Sequence, residues 1–128
     1  MSRTTIFTPL APKAVGTYSQ AVRCGNTVYV SGQIPLDPAT GDLVQGSMEL
    51  QIRRVFDNLN AILGAAGANF SMVAKLNVFL TDLSHFALLN TVMAEYFHEP
   101  YPARAAIQVA ALPKGAAVEM DCVAEIGS

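Results

Sequence analysis

Arg104 and Glu119 are the two residues of the sequence whose types best suit chemistry on a small acid. Arg104 follows residues 101–103 and begins a segment of small and apolar residues, and its planar guanidinium can donate two hydrogen bonds to one carboxylate. An ion pair with Glu119 or Asp121 would explain this arginine equally well. Glu119 is the candidate for activating water, because withdrawal from solvent raises the pKa of a carboxyl. An exposed or paired carboxylate is the alternative.

A second group of polar residues could line a ligand pocket. Ser31 and Gly32 end a predicted strand, where Gly32 lets a ligand approach the main chain and Ser31 can donate or accept a hydrogen bond. Tyr18 and Asn90 lie at the margins of apolar faces. Hydrogen bonds within the core or an interface are the alternative interpretation for both.

Other chemical signals are absent or weak. The sequence contains no P-loop, no dinucleotide-binding glycine turn and no His-Glu-x-x-His helix. His85 and His98 stand alone near the ends of a predicted helix, and we assign them no role. Cys24 and Cys122 have no Cys-x-x-Cys spacing, so we interpret them as reduced, buried thiols and predict no metal site.

The hydrophobic pattern predicts strands and helices that would position these residues. In chain order these are a hairpin of strands 18–24 and 27–31, a helix over 48–66, a strand over 73–81, a helix over 84–97, and strands over 104–110 and 117–126. Ser47 is the predicted cap of the first helix and Gly67 its left-handed stop, and Ser84 is the predicted cap of the second.

The elements predict one α+β domain over residues 1–128, with two helices on one face of a mixed sheet of five to six strands. The other face would carry Arg104, Glu119 and Asp121. Charged residues make up only 14% of the chain and hydrophobic residues 52%, so few charges are available to solvate that face. We therefore expect copies of the sheet to pack together.

The spacing of Arg104 and Glu119 poses a geometric problem. If residues 112–115 close a plain hairpin, Glu119 falls opposite Gln108, which is on the order of 13 Å from Arg104 at ~3.3 Å per residue. One small acid could not bridge that gap within one sheet. We therefore expect the two residues to meet across a subunit boundary or through an irregular strand.

Charge and hydropathy limit the partners. Lys and Arg number 8 against 10 Asp and Glu, a formal net charge of -2, which argues against nucleic acid as the main ligand. Apolar runs are far shorter than the roughly 20 residues of a membrane span, and residues 1–5 lead into no signal core. We expect a cytoplasmic protein with no membrane contact.

Five short motifs together resemble the RidA (YjgF-type) reactive imine deaminases. The resemblance covers almost the entire chain in the family's order. The motifs are Val-Gly-Thr-Tyr-Ser-Gln-Ala at 15–21, Ser-Gly-Gln-Ile-Pro at 31–35, Tyr-Pro-Ala-Arg-Ala-Ala at 101–106, Val-Ala-Ala-Leu-Pro-Lys-Gly at 109–115 and Val-Glu-Met at 118–120.

The resemblance implies a chorismate-mutase-like α+β fold and a homotrimer, in which three sheets form a central barrel and ligands occupy clefts between subunits. It implies hydrolysis of 2-iminopropanoate and 2-iminobutanoate to 2-oxo acids and ammonia. That chemistry needs no metal or organic cofactor, because a protonated imine carbon is already electrophilic and requires mainly positioning and a polarised water.

The resemblance also implies roles for individual residues. Arg104 would hold the substrate carboxylate, and Glu119 would orient or activate the water. A further group would contact the substrate, namely Tyr18, Ser31, Gly32, Asn90 and, through its main chain, Ala106.

Four residues depart from the family pattern. Thr17 replaces a common proline, Ala106 replaces the cysteine of several members, and Asp121-Cys122 replaces a more usual Glu-Ala pair. Arg104 and Glu119 are kept. The main alternative is a non-enzymatic trimer that binds a small carboxylate or holds unfolded clients. Ribonuclease activity is the least favoured alternative, because the chain has no basic stripe and its two histidines are not spaced to act together.

Overall fold

The structure, a computed structural model, describes residues 3–127 and contains one mixed sheet with two α-helices on one face. The strands are β1 (Thr4–Ile6), β2 (Ala21–Cys24), β3 (Thr27–Gln33), β4 (Val73–Leu80), β5 (Ala103–Gln108) and β6 (Val118–Glu125). The helices are α1 (Met48–Ala65) and α2 (Phe86–Tyr96). The spatial order is β1-β2-β3-β6-β4-β5, and the β4–β5 pair is parallel. The predicted α+β class, the mixed sheet and the two helices are confirmed.

Helix α1 agrees closely with its prediction because its apolar stripe is long and regular. Its inward face is fully buried against the sheet and comprises Ile52, Val55, Phe56, Leu59, Ile62 and Leu63. The Ser47 hydroxyl accepts a hydrogen bond from the Leu50 amide at 3.2 Å, which satisfies one of the free amides of the first turn. Gly67 has a φ of +81°, the left-handed conformation that ends a helix.

Helix α2 begins differently from its prediction. The cap at Ser84 is wrong, because the Asp82 carboxylate accepts a hydrogen bond from the Ser84 amide at 2.9 Å and starts a short 3₁₀ turn, Leu83–His85. The α-helix itself begins at Phe86 with no side-chain cap. An ionised carboxylate is a stronger acceptor for a free amide than a hydroxyl, so Asp82 determines where the chain turns.

The N-terminal half of the sheet contains the predicted hairpin and one strand that the sequence did not predict. Strands β2 and β3 pair antiparallel around the turn at 25–26, which confirms the hairpin, although β2 begins at Ala21. Strand β1 pairs with β2 at the sheet edge. It has only three residues, too few for an alternating pattern to stand out.

The last two strands do not form the plain hairpin considered for residues 112–115. Strand β4 lies between β5 and β6, so that Leu76 is opposite Arg104 on one side and opposite Cys122 on the other. Alternate side chains of β4 and β6 are buried, whereas every residue of β5 is at least partly exposed. The two strands with one well-buried face therefore occupy the interior of the sheet, and β5 forms its edge.

The residues that could carry chemistry lie on different faces of the sheet. Glu119 and Asp121 alternate with buried residues of β6 and lie on the face without helices, as predicted. The prediction that Arg104 shares this face is wrong. Its register with Leu76, a buried core residue, places Arg104 on the face covered by the helices.

Strand β3 contains a bulge next to Glu119. Val30 pairs with Cys122 and Gln33 with Met120, so two residues of β3, Ser31 and Gly32, oppose a single residue of β6. Such an insertion bends the strand and redirects its side chains. Both bulge residues therefore lie opposite Asp121.

The cysteine prediction holds for one thiol. Both cysteines are free, and Cys122 is buried under the helices, but Cys24 is only half-buried on β2. Among the described residues, no helix has both the length and the hydrophobicity to cross a membrane.

Candidate active site

Arg104 is held by neutral groups. Its Nη1 atom donates a hydrogen bond to the Asn90 side-chain oxygen at 2.6 Å and lies 3.6 Å from the Met93 sulfur. Its guanidinium carbon lies 5.0 Å from the centre of the Phe86 ring, a cation–π contact. The ion pairs found within residues 3–127 both belong to another arginine, so the alternative pairing of Arg104 with Glu119 or Asp121 is wrong. Its charge remains available to a carboxylate.

Arg104 lies in a cleft of about 450 Å³ between α2 and the start of β5, which we call the Arg104 cleft. Its lining residues are Asn90, Met93, Ala94, Tyr101, Pro102 and Arg104. The walls are mainly apolar, and the guanidinium supplies the positive charge. The cleft can therefore take a small anion whose remainder is apolar.

Glu119 lies in a second cleft, of about 580 Å³, which we call the Glu119 cleft. It is lined by Pro12, Lys13, Val15, Tyr18, Ser31, Gly32, Gln33, Ile34, Leu36, Pro113, Lys114 and Glu119. Three of the predicted pocket residues, Tyr18, Ser31 and Gly32, lie here with the predicted water-activating residue. Asn90 lies instead beside Arg104.

The Glu119 carboxyl has the electrostatic environment of a general base. Burial raises its pKa above the usual range, and the negative charge of Asp121 raises the pKa further. Asp121 stays in place by accepting a hydrogen bond from the Asn77 side chain at 2.7 Å. A raised pKa strengthens a carboxylate as a proton acceptor.

The Glu119 carboxyl lies so close to the main chain at position 32 that a residue without a side chain is needed there. A Cβ atom at position 32 would lie 2.5 Å from Oε2 of Glu119 and 3.0 Å from its carboxyl carbon. Both distances are too short for the side chain to stay where it is. The glycine in the bulge therefore gives the carboxylate its place against the main chain.

The hydroxyl groups of Ser31 and Tyr18 differ in whether their hydrogen is already donated within the chain. Ser31 donates its hydroxyl hydrogen to the Ser19 carbonyl, and its amide donates to the Gln20 carbonyl at 2.9 Å. Tyr18 is 52% exposed, and its hydroxyl accepts a weak hydrogen bond from the Val15 amide at 3.4 Å. The Tyr18 hydroxyl remains free to donate to a ligand.

Arg104 and Glu119 do not meet within one chain. They lie on opposite faces of the sheet, and the strand register separates their Cα atoms by about 14 Å at standard strand spacings. The pairing of β4 with both neighbours is unbroken from Leu76 to Leu80. The expectation that an irregular strand joins the two residues is therefore wrong.

Ala106 lines neither cleft. It pairs with Val78 on the face covered by the helices and packs against the core. Sequence reasoning also missed two lysines of the Glu119 cleft, Lys13 and Lys114. Lys114 has a φ of 58° in the turn before β6, and no pattern in the sequence predicts that a lysine adopts this conformation.

Metal ligation has no obvious place in the part of the chain that the structure describes. No group of three or more His, Cys, Asp or Glu residues there is close enough to hold a metal ion. The two clefts instead offer a guanidinium, a carboxyl, the ammonium groups of Lys13 and Lys114, and uncharged hydrogen-bonding groups.

Known proteins resemble the chain over nearly its whole length. It is 46% identical over 125 residues to the 2-iminobutanoate/2-iminopropanoate deaminase of Bos taurus, covering 98% of this chain and 91% of that protein. The crystal structure of RidA from an Antarctic Psychrobacter bacterium is 56% identical, with a TM-score of 0.92 and coverage of 96% and 99% of the two chains. E. coli TdcF with bound serine is 39% identical, with a TM-score of 0.91 and coverage of 97% and 99%.

The family assignment rests on these likenesses together with a family model. The model, described as endoribonuclease L-PSP, matches residues 8–126. The match spans both clefts, from the N-terminal segment that lines the Glu119 cleft to strand β6. This chain therefore belongs to the RidA/YjgF family.

Proposed function

We propose that this protein is a hydrolytic deaminase that converts 2-iminobutanoate and 2-iminopropanoate to 2-oxo acids and ammonia. The observation that carries the proposal is the pair of groups in the two clefts. Arg104 has only neutral partners and can bind a carboxylate, and Glu119 has the raised pKa of a proton acceptor. The relatives named as deaminases of these two imino acids support the choice of substrate.

The proposal requires that the Arg104 cleft of one subunit face the Glu119 cleft of another, within a homotrimer. Exposed apolar side chains support such an interface. Val15 and Tyr18 at the Glu119 cleft are 79% and 52% exposed, and Tyr101 at the Arg104 cleft is 59% exposed. Joining the clefts would bury these side chains and bring both charged groups to one substrate.

The reaction adds water to the C=N bond and then breaks the C–N bond. Arg104 binds the substrate carboxylate and fixes the position of C2. Glu119 accepts a proton as water attacks C2, and the same proton then passes to the nitrogen of the tetrahedral aminoalcohol. The ionised Glu119 then accepts the hydroxyl proton as the C–N bond breaks, which releases ammonia and the 2-oxo acid, and the proton passes on to ammonia, so that one protonated imine and one water give one 2-oxo acid and one ammonium ion. Positioning and proton transfer supply the acceleration.

A coupled assay tests the proposal. A pyridoxal-phosphate dehydratase generates 2-iminobutanoate from threonine, and semicarbazide traps the imine that escapes hydrolysis. We expect the wild-type protein to suppress trapping and Arg104→Ala to lose that effect. A wild-type protein that leaves trapping unchanged would contradict the deaminase activity.

Binding of a small carboxylate without hydrolysis is the second candidate. It is favoured by the same guanidinium and by the bound serine in the structure of E. coli TdcF. Glu119→Gln separates the two functions, because it removes a proton acceptor and leaves Arg104 in place. We expect slower turnover by about 100-fold or more with little change in affinity for 2-oxobutanoate. Equal turnover in the variant would rule out the role of Glu119.

A further inference from the structure

Buried side-chain amides lie behind the walls of the Glu119 cleft. Gln20 is 2% exposed and Asn58 is fully buried. Burying a carboxamide is unfavourable unless its donors and acceptor find partners. Both side chains find them on main-chain segments that form the cleft, and neither lines the cleft itself.

Gln20 holds the N-terminal segment, residues 8–12, which forms one wall of the Glu119 cleft. Its Oε1 accepts a hydrogen bond from the Thr8 amide at 2.7 Å, and its Nε2 donates to the Thr8 carbonyl at 3.0 Å and the Pro12 carbonyl at 2.8 Å. A longer contact, at 3.4 Å, reaches the Ala11 carbonyl. This segment lies outside the sheet, so the side chain of Gln20 supplies main-chain hydrogen bonds that a neighbouring strand would otherwise provide. Pro12, at the end of the segment, lines the cleft.

Asn58 holds the opposite wall. It occupies a position on the buried face of α1, where an aliphatic residue would continue the apolar stripe. Its Nδ2 atom donates to the Leu36 carbonyl at 3.0 Å and the Ile34 carbonyl at 3.4 Å. Arg54 donates to its Oδ1 atom at 3.1 Å. Both Ile34 and Leu36 line the cleft.

We propose that Gln20 and Asn58 are positioning residues that hold the two loop walls of the Glu119 cleft at the separation that the substrate needs. The proposal rests on the proposed function. Neither residue lines the cleft, and each acts through the main chain that it binds. A purely structural amide would stabilise the fold wherever it lay, whereas these two hold the two sides of one cleft.

Gln20→Met and Asn58→Leu test the proposal, because each keeps the approximate volume and removes the hydrogen bonds. Ile62→Val is the matched control, since Ile62 is buried on α1 and lines neither cleft. Melting temperature, molecular mass, kcat and KM are measured for all three. We expect kcat/KM to fall at least about tenfold in the two test variants and to stay within about twofold in the control.

The pH profile distinguishes positioning from general stabilisation. Looser walls would admit water to Glu119 and lower its pKa, so the acid limb of kcat/KM should move to lower pH in both test variants. The limb should stay in place in Ile62→Val. Test variants that fold, with unchanged kcat/KM and an unchanged acid limb, would overturn the proposal. A wild-type protein that shows no imine hydrolysis would instead overturn the proposed function.

Hydrogen exchange of the wild-type protein provides a measurement that does not depend on whether the variants fold. The Thr8 amide, bound to Gln20, is expected to exchange at least about 100-fold more slowly than in an unstructured peptide. Adding 2-oxobutanoate should slow it further by closing the cleft. Exchange of the Thr8 amide at the unprotected rate would overturn the role of Gln20.

Discussion

Arg104 and Glu119 lie on opposite faces of one sheet, with strand β4 between the strands that carry them. Each lies in its own open cleft. A carboxylate bound to Arg104 therefore cannot place its neighbouring carbon beside Glu119 of the same chain. The geometry demands a second subunit if both groups act on one substrate.

Mixing two inactive variants tests the shared site directly. Arg104→Ala and Glu119→Gln subunits, unfolded together and refolded, should form mixed trimers in which some boundaries carry one intact Arg104 and one intact Glu119. Random assembly would restore about a quarter of the wild-type sites. Each variant refolded alone is the control. No recovery in the mixture would contradict a site shared between subunits.

Arg104→Lys should weaken substrate binding although it keeps the charge. Lysine cannot donate two parallel hydrogen bonds to a carboxylate, and a lost charged hydrogen bond costs about 1.5–3 kcal/mol. We expect KM to rise about 10- to 100-fold, with a smaller change in kcat. Arg53→Lys is the control, because Arg53 is bound to Glu49 and Glu95 on the surface of the helices. An unchanged KM in Arg104→Lys would contradict bidentate recognition.

Asp121→Asn should shift the pH dependence of hydrolysis. Glu119 accepts a proton only when it is ionised, so kcat/KM falls as the pH drops through its pKa. Since the charge of Asp121 helps to raise the pKa of Glu119, its removal should move the acid limb to lower pH. Glu125→Gln, an exposed carboxylate on the same strand, is the control. A limb that stays in place would show that Asp121 does not influence the base.

Gly32→Ala should displace the Glu119 carboxylate. The added methyl group would overlap Oε2, and a flexible side chain moves more easily than a strand. A shift of about 1 Å in a catalytic group can reduce the rate about 100-fold, so we expect a large fall in kcat with a retained fold. Gly64→Ala on α1 is the control, since its Cβ would meet no atom within 4 Å. Normal turnover in Gly32→Ala would contradict the role of this close approach.

Local patterns predicted the elements better than their arrangement. The repeated apolar positions of α1 agree with its burial, because eighteen residues give several turns of consistent spacing. The start of α2 was wrong, since Asp82 and Ser84 are both good caps and only the folded chain decides between them. Strand β1 has no pattern of its own and is stabilised by pairing with β2.

The sequence indicates which residue types form the candidate site, and not how they are arranged. Arg104 and Glu119 stood out from the small and apolar residues around them. Their separation onto two faces depends on β4 lying between β5 and β6, a long-range pairing that no local pattern specifies. Gln20 and Asn58 gave no signal in the sequence, because most of their hydrogen-bond partners are main-chain atoms, which every residue supplies.

The bulge at Ser31 and Gly32 makes the length of β3 as important as its composition. Deletion of Gly32 would make the ladder regular, with Ser31 alone opposite Asp121 and Gln33 still paired with Met120, and would place an ordinary side chain where Gly32 accommodates the carboxylate. Every other residue type could be retained and the cleft would still be lost. Relatives that differ by a single deletion at this point should therefore differ in chemistry more than relatives that differ by many substitutions elsewhere.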